Sequence, residues 1–345
     1  MKPYDPQRYS RQTRFAPLGT DGQTRLAAAR VVVMGCGALG SVVAMALVRA
    51  GVGSLRIIDR DLPELSNLPR QVLFCEADIA AGFPKSVAAK QHLERINSAA
   101  KIEAVVADLT ASNAEELLAE CDVIVDGTDN FEARFLVNDF SCQQGVPWIY
   151  GGAIGAEGRV MTVLPGQTAC LRCLIPEPPS AGVLPTCETA GILGPAALVV
   201  GAVQSAEAIK VLVGASNRIG NRLWVCDLWE GVWRTIDLTV LATSGCPTCR
   251  DHDFPWLSGR AAAQATVICG REAVQVTPQD RAAIDLVGLA SRLASVGQVM
   301  ANPWLVRVEV EPGIQLSVFG DGRAIVAGTR EEAKARAVVA RYVGT

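Results

Sequence analysis

The order of apolar and polar positions in residues 31–59 predicts a strand, a helix and a second strand. Residues 31–34 are a continuous apolar run, which is typical of a strand buried in a parallel sheet. Residues 41–50 have the repeat of an amphipathic helix, and residues 54–58 again have strand character. A strand–helix–strand unit of this kind is the building block of nucleotide-binding α/β sheets.

The turn between the first strand and the helix carries the pattern G-x-G-x-x-G. Gly35, Gly37 and Gly40 allow a tight turn, and the N–H groups at the N-terminus of the following helix can face a phosphate. Asp59 ends the second strand, where it can accept hydrogen bonds from a ribose. Such a turn can also serve only to pack a helix on a sheet. Because strand, helix and acid occur here in the expected order, the pattern favours a nucleotide site.

The alternation of strands and helices continues over the following residues. Residues 122–126 are a β-branched run typical of a buried parallel strand. Residues 84–97 have a helical repeat that begins with Pro84, and residues 195–213 form a long apolar helix. Further strands are predicted at residues 102–107, 146–150, 158–164, 222–227 and 232–240.

The charged residues after Asp59 favour a nucleoside triphosphate over a dinucleotide. Arg70 and Lys85 can neutralise phosphate oxygens, and Asp129 can hold a Mg²⁺ ion that bridges them. Asp129 lies just past the carboxyl end of a predicted strand, where ligands bind in open α/β sheets. Its neighbour Asn130 either contacts the nucleotide or only caps the next helix.

Two C-x-x-C pairs predict a structural zinc site. Cys170, Cys173, Cys246 and Cys249 supply four thiolates, which are enough for a closed tetrahedral Zn²⁺ centre without an open position for water. The alternative is two unrelated pairs of thiols.

Taken together, these motifs resemble the ThiF/MoeB/HesA family, the bacterial relatives of ubiquitin-activating enzymes. The matching stretches are residues 9–12, the glycine turn, residues 59–71, 84–85, 126–130 and 186–191, and both cysteine pairs. The resemblance covers roughly residues 5–250. It implies a doubly wound, Rossmann-like mixed α/β sheet with a zinc knuckle, and a homodimer. It also adds Asp61 and Asn67 to the nucleotide site and places Arg11 in the partner subunit's site, against the phosphates.

The reaction that this resemblance implies is adenylation. A small β-grasp carrier protein ending in Gly-Gly offers its carboxylate to ATP, and Arg11, Arg70, Lys85 and Asp129 with Mg²⁺ offset the repulsion between the two anions. The carrier then serves thiazole (thiamine) biosynthesis, with a cysteine desulfurase or another sulfur donor downstream.

Three alternatives remain open at this point. The carrier can belong to the molybdopterin pathway. The enzyme can pass its carrier onward through a thioester on Cys187, which relatives either use covalently or carry as an idle thiol. From another class, the chain can be a non-catalytic nucleotide-binding scaffold.

Composition and charge indicate the cellular compartment and argue against nucleic acid as a partner. Half of the 345 residues are hydrophobic, 19% are charged and the net charge is −3, so nucleic acid is an unsuitable partner. The N-terminus lacks the apolar region of a signal peptide, and the longest apolar stretch, residues 191–203, is interrupted by Pro195 and too short for a membrane span. We therefore expect a cytoplasmic protein whose eleven cysteines serve metal and thiol chemistry.

The chain is predicted to form two domains. Residues 1–255 carry the adenylation and zinc motifs, and residues 251–263 form the boundary. Residues 264–345 make a small α/β domain of unknown role, in which Cys269 is structural. Its predicted helices are residues 285–296 and 330–342, and its strands are residues 304–310, 314–319 and 323–326. His92 and His252 are expected on the surface.

Overall fold

The computed structural model of the protein describes residues 4–179, 190–243, 245–261, 273–276 and 284–343. They divide into two compact units. The first comprises residues 1–80 and 84–265, and the second comprises residues 81–83 and 266–345.

An eight-stranded mixed sheet forms the centre of the first unit. Its strand order is β3-β2-β1-β4-β5-β6-β7-β8. The first five strands of this order pair in parallel, and the pairs from β5 to β8 are antiparallel. The bounds are β1 (Arg30–Met34), β2 (Ser54–Ile58), β3 (Lys101–Val105), β4 (Val123–Asp126), β5 (Trp148–Ile154), β6 (Glu157–Val163), β7 (Arg222–Asp227) and β8 (Val232–Asp237).

The helices of the first unit cover both faces of the sheet. One face carries α2 and α8, which pack so closely that a Cβ atom at Gly201 would lie 2.7 Å from Val42 Cβ. On the other face, Phe135 packs in one cluster with Ile124 and Trp148, all fully buried. The helices are α1 (Gly19–Ala28), α2 (Ala38–Ala50), α3 (Glu76–Ala81), α4 (Lys85–Ile96), α5 (Ala114–Leu118), α6 (Phe131–Gln144), α7 (Leu171–Leu174), α8 (Gly194–Leu212) and α9 (Thr239–Thr243).

The predicted fold class is confirmed. The order of the strands also indicates where a ligand would bind, at the carboxyl ends of β1 and β4. From β1 the chain moves outward to β2 and β3, and it then returns to the other side of β1 with β4. This reversal is a topological switch point, where open α/β sheets bind ligands at the carboxyl ends of the strands. The turn after β1 and the turn after β4 meet there.

The apolar stretch at residues 191–203, which contains Pro195, was expected to be too short to cross a bilayer, but helix α8 extends to Leu212 and is long and apolar enough by length and composition. Pro195 occupies its first turn, where a proline does not break a helix. Within the unit, the Gln204 side chain on α8 donates to Asp126 O (2.7 Å) and Ile149 O (3.2 Å). Its amide thus bonds the last residue of β4 and the second residue of β5, as in the core helix of a globular unit.

The second unit is built on a five-stranded antiparallel sheet of order β10-β11-β12-β13-β9. Leu289 and Val338, from its two helices, pack with Leu316 and Val318 of the sheet in one core. The elements are β9 (Ala273–Val276), β10 (Val299–Ala301), β11 (Leu305–Glu311), β12 (Ile314–Phe319), β13 (Ala324–Ala327), α10 (Leu286–Leu293) and α11 (Glu332–Tyr342). The predicted domain bounds at residues 255 and 264 stay a prediction.

Some predicted bounds were wrong. Strand β8 ends at Asp237 rather than at residue 240, because the Asp237 carboxylate accepts a hydrogen bond from Thr239 N (2.8 Å) at the start of α9. The helices α3, α5, α7 and α9 and the strands β9 and β10 were not predicted. Each spans six residues or fewer, and such short segments hold too little periodicity to be recognised.

Candidate active site

The glycine turn after β1 combines close packing with open space. Gly35 has a φ of +83°, and a Cβ atom there would lie 2.7 Å from Gly127 O. A Cβ atom at Gly40 would lie 1.9 Å from Gly35 O. Gly37 is different, because a Cβ atom there would come no closer than 3.8 Å to its nearest neighbour, Gln71 Nε2. Packing therefore explains Gly35 and Gly40, whereas the room above Gly37 suits the approach of a ligand to the backbone.

Asp59 is held in place at the end of β2 by backbone donors. Its carboxylate accepts hydrogen bonds from Cys36 N in the glycine turn (2.6 Å) and from Asp61 N (2.7 Å). Burial raises the pKa of Asp59, against the lowering effect of the nearby Lys85 ammonium. The structure thus brings the acid predicted for the ribose directly against the turn predicted for the phosphates.

Lys85 and Asp61 form a second pair beside Asp59. The Lys85 ammonium lies 3.3 Å from an Asp61 carboxylate oxygen, and only 5% of the lysine side chain is exposed. Lys85 N also donates to Asp61 O (2.8 Å), so the first turn of α4 is tied to the loop after β2. Arg60 adds a further cation, which pairs with Asp108 and lies 3.7 Å from Asp61. Lys85 is therefore a buried, positioned charge rather than a surface lysine.

The loop after β2 presents Arg70 and fixes Asn67. Asn67 is buried, and its side-chain oxygen accepts from Glu64 N (3.3 Å) in a reciprocal cap of a short 3₁₀ turn. Arg70 is half-buried and donates to Ser66 O (2.6 Å). Gln71, which the sequence did not single out, is buried with no hydrogen-bond partner for its Oε1 atom. Because Gln71 also borders the open space at Gly37, it is a further candidate contact for a nucleotide.

The turn after β4 holds a buried ion pair behind an exposed acid. Asp126 is buried, accepts from Thr128 Oγ1 (2.7 Å) and lies 3.2 Å from Arg134 Nε. Burial raises the pKa of Asp126, and Arg134 and Thr128 lower it in part. Asp129 is exposed at the same edge, and the side chain of Asn130 accepts from Ala133 N (2.8 Å) as the cap of α6. The structure therefore shows the capping role of Asn130 directly.

Arg134 was missed because its partners lie 6, 8 and 17 positions away, outside the spacings at which local pattern indicates a contact. It donates to Thr128 O (2.7 Å) and Gly151 O (3.2 Å) and lies over the Tyr150 ring at 5.3 Å. The sequence shows only that Arg134 follows Asp126 by eight positions, and this spacing alone does not identify an ion pair.

Arg11 is exposed in the turns before α1. Within the described part of this single chain it makes no hydrogen bond or ion pair. The next residue, Gln12, is anchored by bonds to Gln23 Oε1 (2.7 Å) and Ala50 O (2.8 Å). The segment that carries Arg11 is thus fixed to α1 and to the C-terminal end of α2, and the guanidinium is left accessible.

The four predicted zinc ligands converge at one point. Their sulfur atoms lie within 4.8 Å of one another, with separations of 3.8 Å (Cys170–Cys173), 3.6 Å (Cys170–Cys246) and 3.5 Å (Cys173–Cys249). Sulfur atoms around a tetrahedral Zn²⁺ ion are about 3.8 Å apart. The cluster therefore fits a closed zinc site. Cys187 lies outside the described residues, as does Cys269.

Fold and site together define an α/β protein of the nucleotide-binding class with a cluster of four thiols that fits a metal ion. The profile of the ThiF family matches residues 9–248, and the chain belongs to this family. It is 42% identical over 338 residues to the sulfur carrier protein ThiS adenylyltransferase of Bacillus subtilis, with 98% of this chain and 99% of that protein covered.

A second relative is the sulfur carrier protein adenylyltransferase of Thermus thermophilus, 40% identical over 250 residues with 71% of this chain and 91% of that protein covered. Among solved structures, E. coli MccB with ATP matches with a TM-score of 0.61 and 25% identity, covering 72% of this chain and 76% of that one. The predicted family is thereby confirmed.

Proposed function

We propose that this protein is an adenylyltransferase that uses ATP to activate the C-terminal Gly-Gly carboxylate of a small β-grasp sulfur carrier, for thiazole biosynthesis. The observation that carries the proposal is the open space at Gly37. It lies at the switch point of the sheet, beside Asp59 and the buried Lys85. A phosphate chain can approach the backbone there while a cation compensates its charge.

The reaction needs no general base. A carboxylate oxygen of the carrier attacks the α-phosphorus of ATP, and the bond between that phosphorus and the bridging oxygen to the β-phosphate breaks. The electron pair leaves with pyrophosphate, and the carrier becomes an acyl-adenylate. Since the carboxylate is already ionised at neutral pH, the protein contributes positions and compensating charges.

The surroundings of each residue indicate which part of the bound ATP it would contact. Asp59 is suited to the ribose, while Lys85 and Arg70 are suited to phosphate oxygens. Asp129 fits Mg²⁺ because its carboxylate is exposed at the strand edge and oxygen is the ligand that this ion prefers. Bound there, the ion would neutralise charge on the phosphates. Asp61 acts as the partner that holds Lys85 at 3.3 Å.

The choice of carrier rests on the match with the ThiS adenylyltransferase, which extends over nearly the whole of both chains. A carrier of the molybdopterin pathway is the second candidate. Onward transfer through Cys187 is a further possibility for the step after adenylation, and a cysteine desulfurase or another sulfur donor would then act on the activated carrier. The joint presence of Arg11, Asp59, Arg70, Lys85 and Asp129 counts against a non-catalytic scaffold, which would be expected to have lost some of these residues.

The decisive experiment is carrier-dependent exchange of labelled pyrophosphate into ATP. We expect exchange with a thiazole-pathway carrier and none with the same carrier lacking its last glycine. Exchange with a molybdopterin-pathway carrier alone would reassign the substrate. Nucleotide binding without exchange, with either carrier, would identify a scaffold.

We further propose a homodimer in which Arg11 reaches the partner subunit's phosphates. Support comes from its exposed position on an anchored segment. Arg11→Ala and Asp129→Ala proteins should then regain activity when mixed, because half of the heterodimer's sites combine both intact residues. Proven subunit exchange without regained activity would place Arg11 outside the partner's site.

The state of the cysteines supports the proposals of a bound structural Zn²⁺ ion and of a reducing compartment such as the cytoplasm. All nine cysteines in the described ranges are free, and four of them are clustered as a zinc site requires.

A further inference from the structure

A second group of metal-binding side chains lies between α3 and α4, apart from the four-thiol cluster. The Cys75 Sγ atom lies 3.3 Å from Asp78 Oδ2, and His92 Nε2 lies 2.9 Å from both oxygens of the same carboxylate. The ligand atoms of all three residues lie within 4.8 Å of one another. His92, expected on the surface, is in fact half-buried against this carboxylate.

Helix capping explains only part of this arrangement. The Asp78 carboxylate accepts from Cys75 N (2.8 Å) at the start of α3, and the imidazole of His92 ties that carboxylate to α4. Any residue other than proline at position 75 would supply the backbone N–H. The thiol is therefore not required by the cap, yet it points at the carboxylate.

The three donors have the chemistry of a transition-metal site. Sulfur, imidazole nitrogen and carboxylate oxygen are the three ligand types that Zn²⁺ takes in proteins. Around tetrahedral Zn²⁺, nitrogen and oxygen ligands are about 3.4 Å apart, and sulfur and oxygen ligands about 3.6 Å. The present separations of 2.9 and 3.3 Å are spanned by hydrogen atoms. A cation that displaced these protons would need only a few tenths of an ångström of expansion.

Charge also favours a cation over a free nucleophilic thiolate. A Cys75 thiolate would stand against the Asp78 carboxylate with both charges negative. A divalent ion would compensate both charges and leave the group neutral, with His92 as the uncharged third ligand.

We propose that Cys75, Asp78 and His92 bind a divalent transition metal, with Zn²⁺ the preferred ion and the fourth position open. The open position follows from exposure, since Cys75 is exposed and His92 is half-buried. The four-thiol cluster, in contrast, is closed by its own ligands. The second site therefore binds more weakly, exchanges its metal and fastens α3 to α4 when it is occupied.

The full-length protein tests this directly. Equilibrated with a saturating, buffered concentration of free Zn²⁺ that is maintained during the measurement, the wild type should hold two ions per chain, and His92→Gln and Asp78→Asn should hold one. Asp78→Asn keeps a side-chain oxygen for the Cys75 N–H cap, and His92→Gln alters the other helix, so a folding defect in one variant does not mask the result in the other. The matched control is His252→Gln, at an exposed histidine, which should retain two.

Alkylation of Cys75, followed by peptide mass spectrometry, provides the second readout. Zn²⁺ should slow alkylation at least about tenfold in the wild type and in His252→Gln, but not in His92→Gln. A wild type that holds a single ion, or equal protection of Cys75 in His92→Gln, would overturn the proposal. Both measurements are independent of nucleotide and carrier.

Discussion

The first unit contains two sites of opposite character: the candidate nucleotide site at the carboxyl ends of β1, β2 and β4, called here the nucleotide edge, and the four-thiol cluster. At the nucleotide edge, the donors and charges surround an open volume: nothing lies within 3.8 Å of a Cβ atom at Gly37, and Asp129 is exposed. At the cluster, sulfur atoms approach one another to 3.5–3.8 Å, which leaves room for one ion only. A site that must admit and release substrate needs open space and an accessible charged group such as Asp129. A site that stabilises the fold has ligands packed closely around one ion.

The largest expected effect is on stability, at the closed site. Cys246→Ser removes a buried ligand of the cluster, and structural zinc contributes on the order of 10 kcal/mol to folding. We expect the variant, and the wild type after chelation, to lose the cooperative unfolding transition followed by circular dichroism. Cys121→Ser, at a thiol outside the cluster, is the control. A metal-free protein with unchanged unfolding would make the cluster an ordinary thiol pocket.

The next largest expected effect is on the rate of pyrophosphate exchange, after a change at the nucleotide edge. Asp129→Ala should lower carrier-dependent pyrophosphate exchange about 100-fold or more, because a metal that neutralises phosphate charge contributes several kcal/mol. The unfolding midpoint should stay unchanged, since Asp129 is exposed. Glu116→Ala, at another exposed acid, should leave exchange unaffected. Full exchange in Asp129→Ala would remove this residue from the mechanism.

A pair of glycine variants sharpens the distinction within one turn. In Gly40→Ala the new methyl group would meet Gly35 O at 1.9 Å, so we expect destabilisation of about 1–3 kcal/mol or more. In Gly37→Ala there is room for the methyl group, so stability should hold while the KM for ATP rises about tenfold, since the methyl group would occupy the space of a ligand. Thermal unfolding and exchange kinetics separate the two. Equal destabilisation in both would show that Gly37 also serves packing.

The smallest effect is expected at Cys187. Adenylation contains no thiol step, so Cys187→Ala should keep pyrophosphate exchange within about twofold of the wild type. If the cysteine takes the carrier covalently, a thiol-sensitive adduct on a non-reducing gel should disappear in this variant. Loss of exchange would instead place the thiol in the adenylation step itself.

The elements that local pattern determines were predictable. The strand, glycine turn, helix and second strand at residues 30–58 follow from short-range periodicity, and capping was one of the two roles considered for Asn130. The mixed sheet and the convergence of the four cysteines agreed with expectation because spacing and fold family constrain them together. The domain bounds, the substrate roles of the site residues and the dimer stay predictions.

Long-range partners were not predictable. The half-burial of His92 depends on Asp78 on another helix, 14 positions away. The bond from Gln204 to Asp126 O spans 78 positions, and the need for a polar residue in an otherwise apolar helix appears only once the sheet is assembled. Gln71 was within a recognised motif, but only its burial without a partner for Oε1 marks it as a candidate contact.

The distance in sequence between the cysteine pairs has a consequence for the order of assembly during translation. Cys170 and Cys246 are 76 positions apart, so the metal ion cannot be fully enclosed until the chain has emerged beyond residue 249. The switch point between β1 and β4 is complete once residue 127 has emerged. The site residues from Gly35 to Asn130 thus emerge before either cysteine pair that joins the antiparallel half of the sheet, and domains fold broadly in this direction on the ribosome. Stalled chains ending near residues 150 and 260 (counted beyond the exit tunnel) would show this order if only the longer one resists proteolysis in a zinc-dependent way.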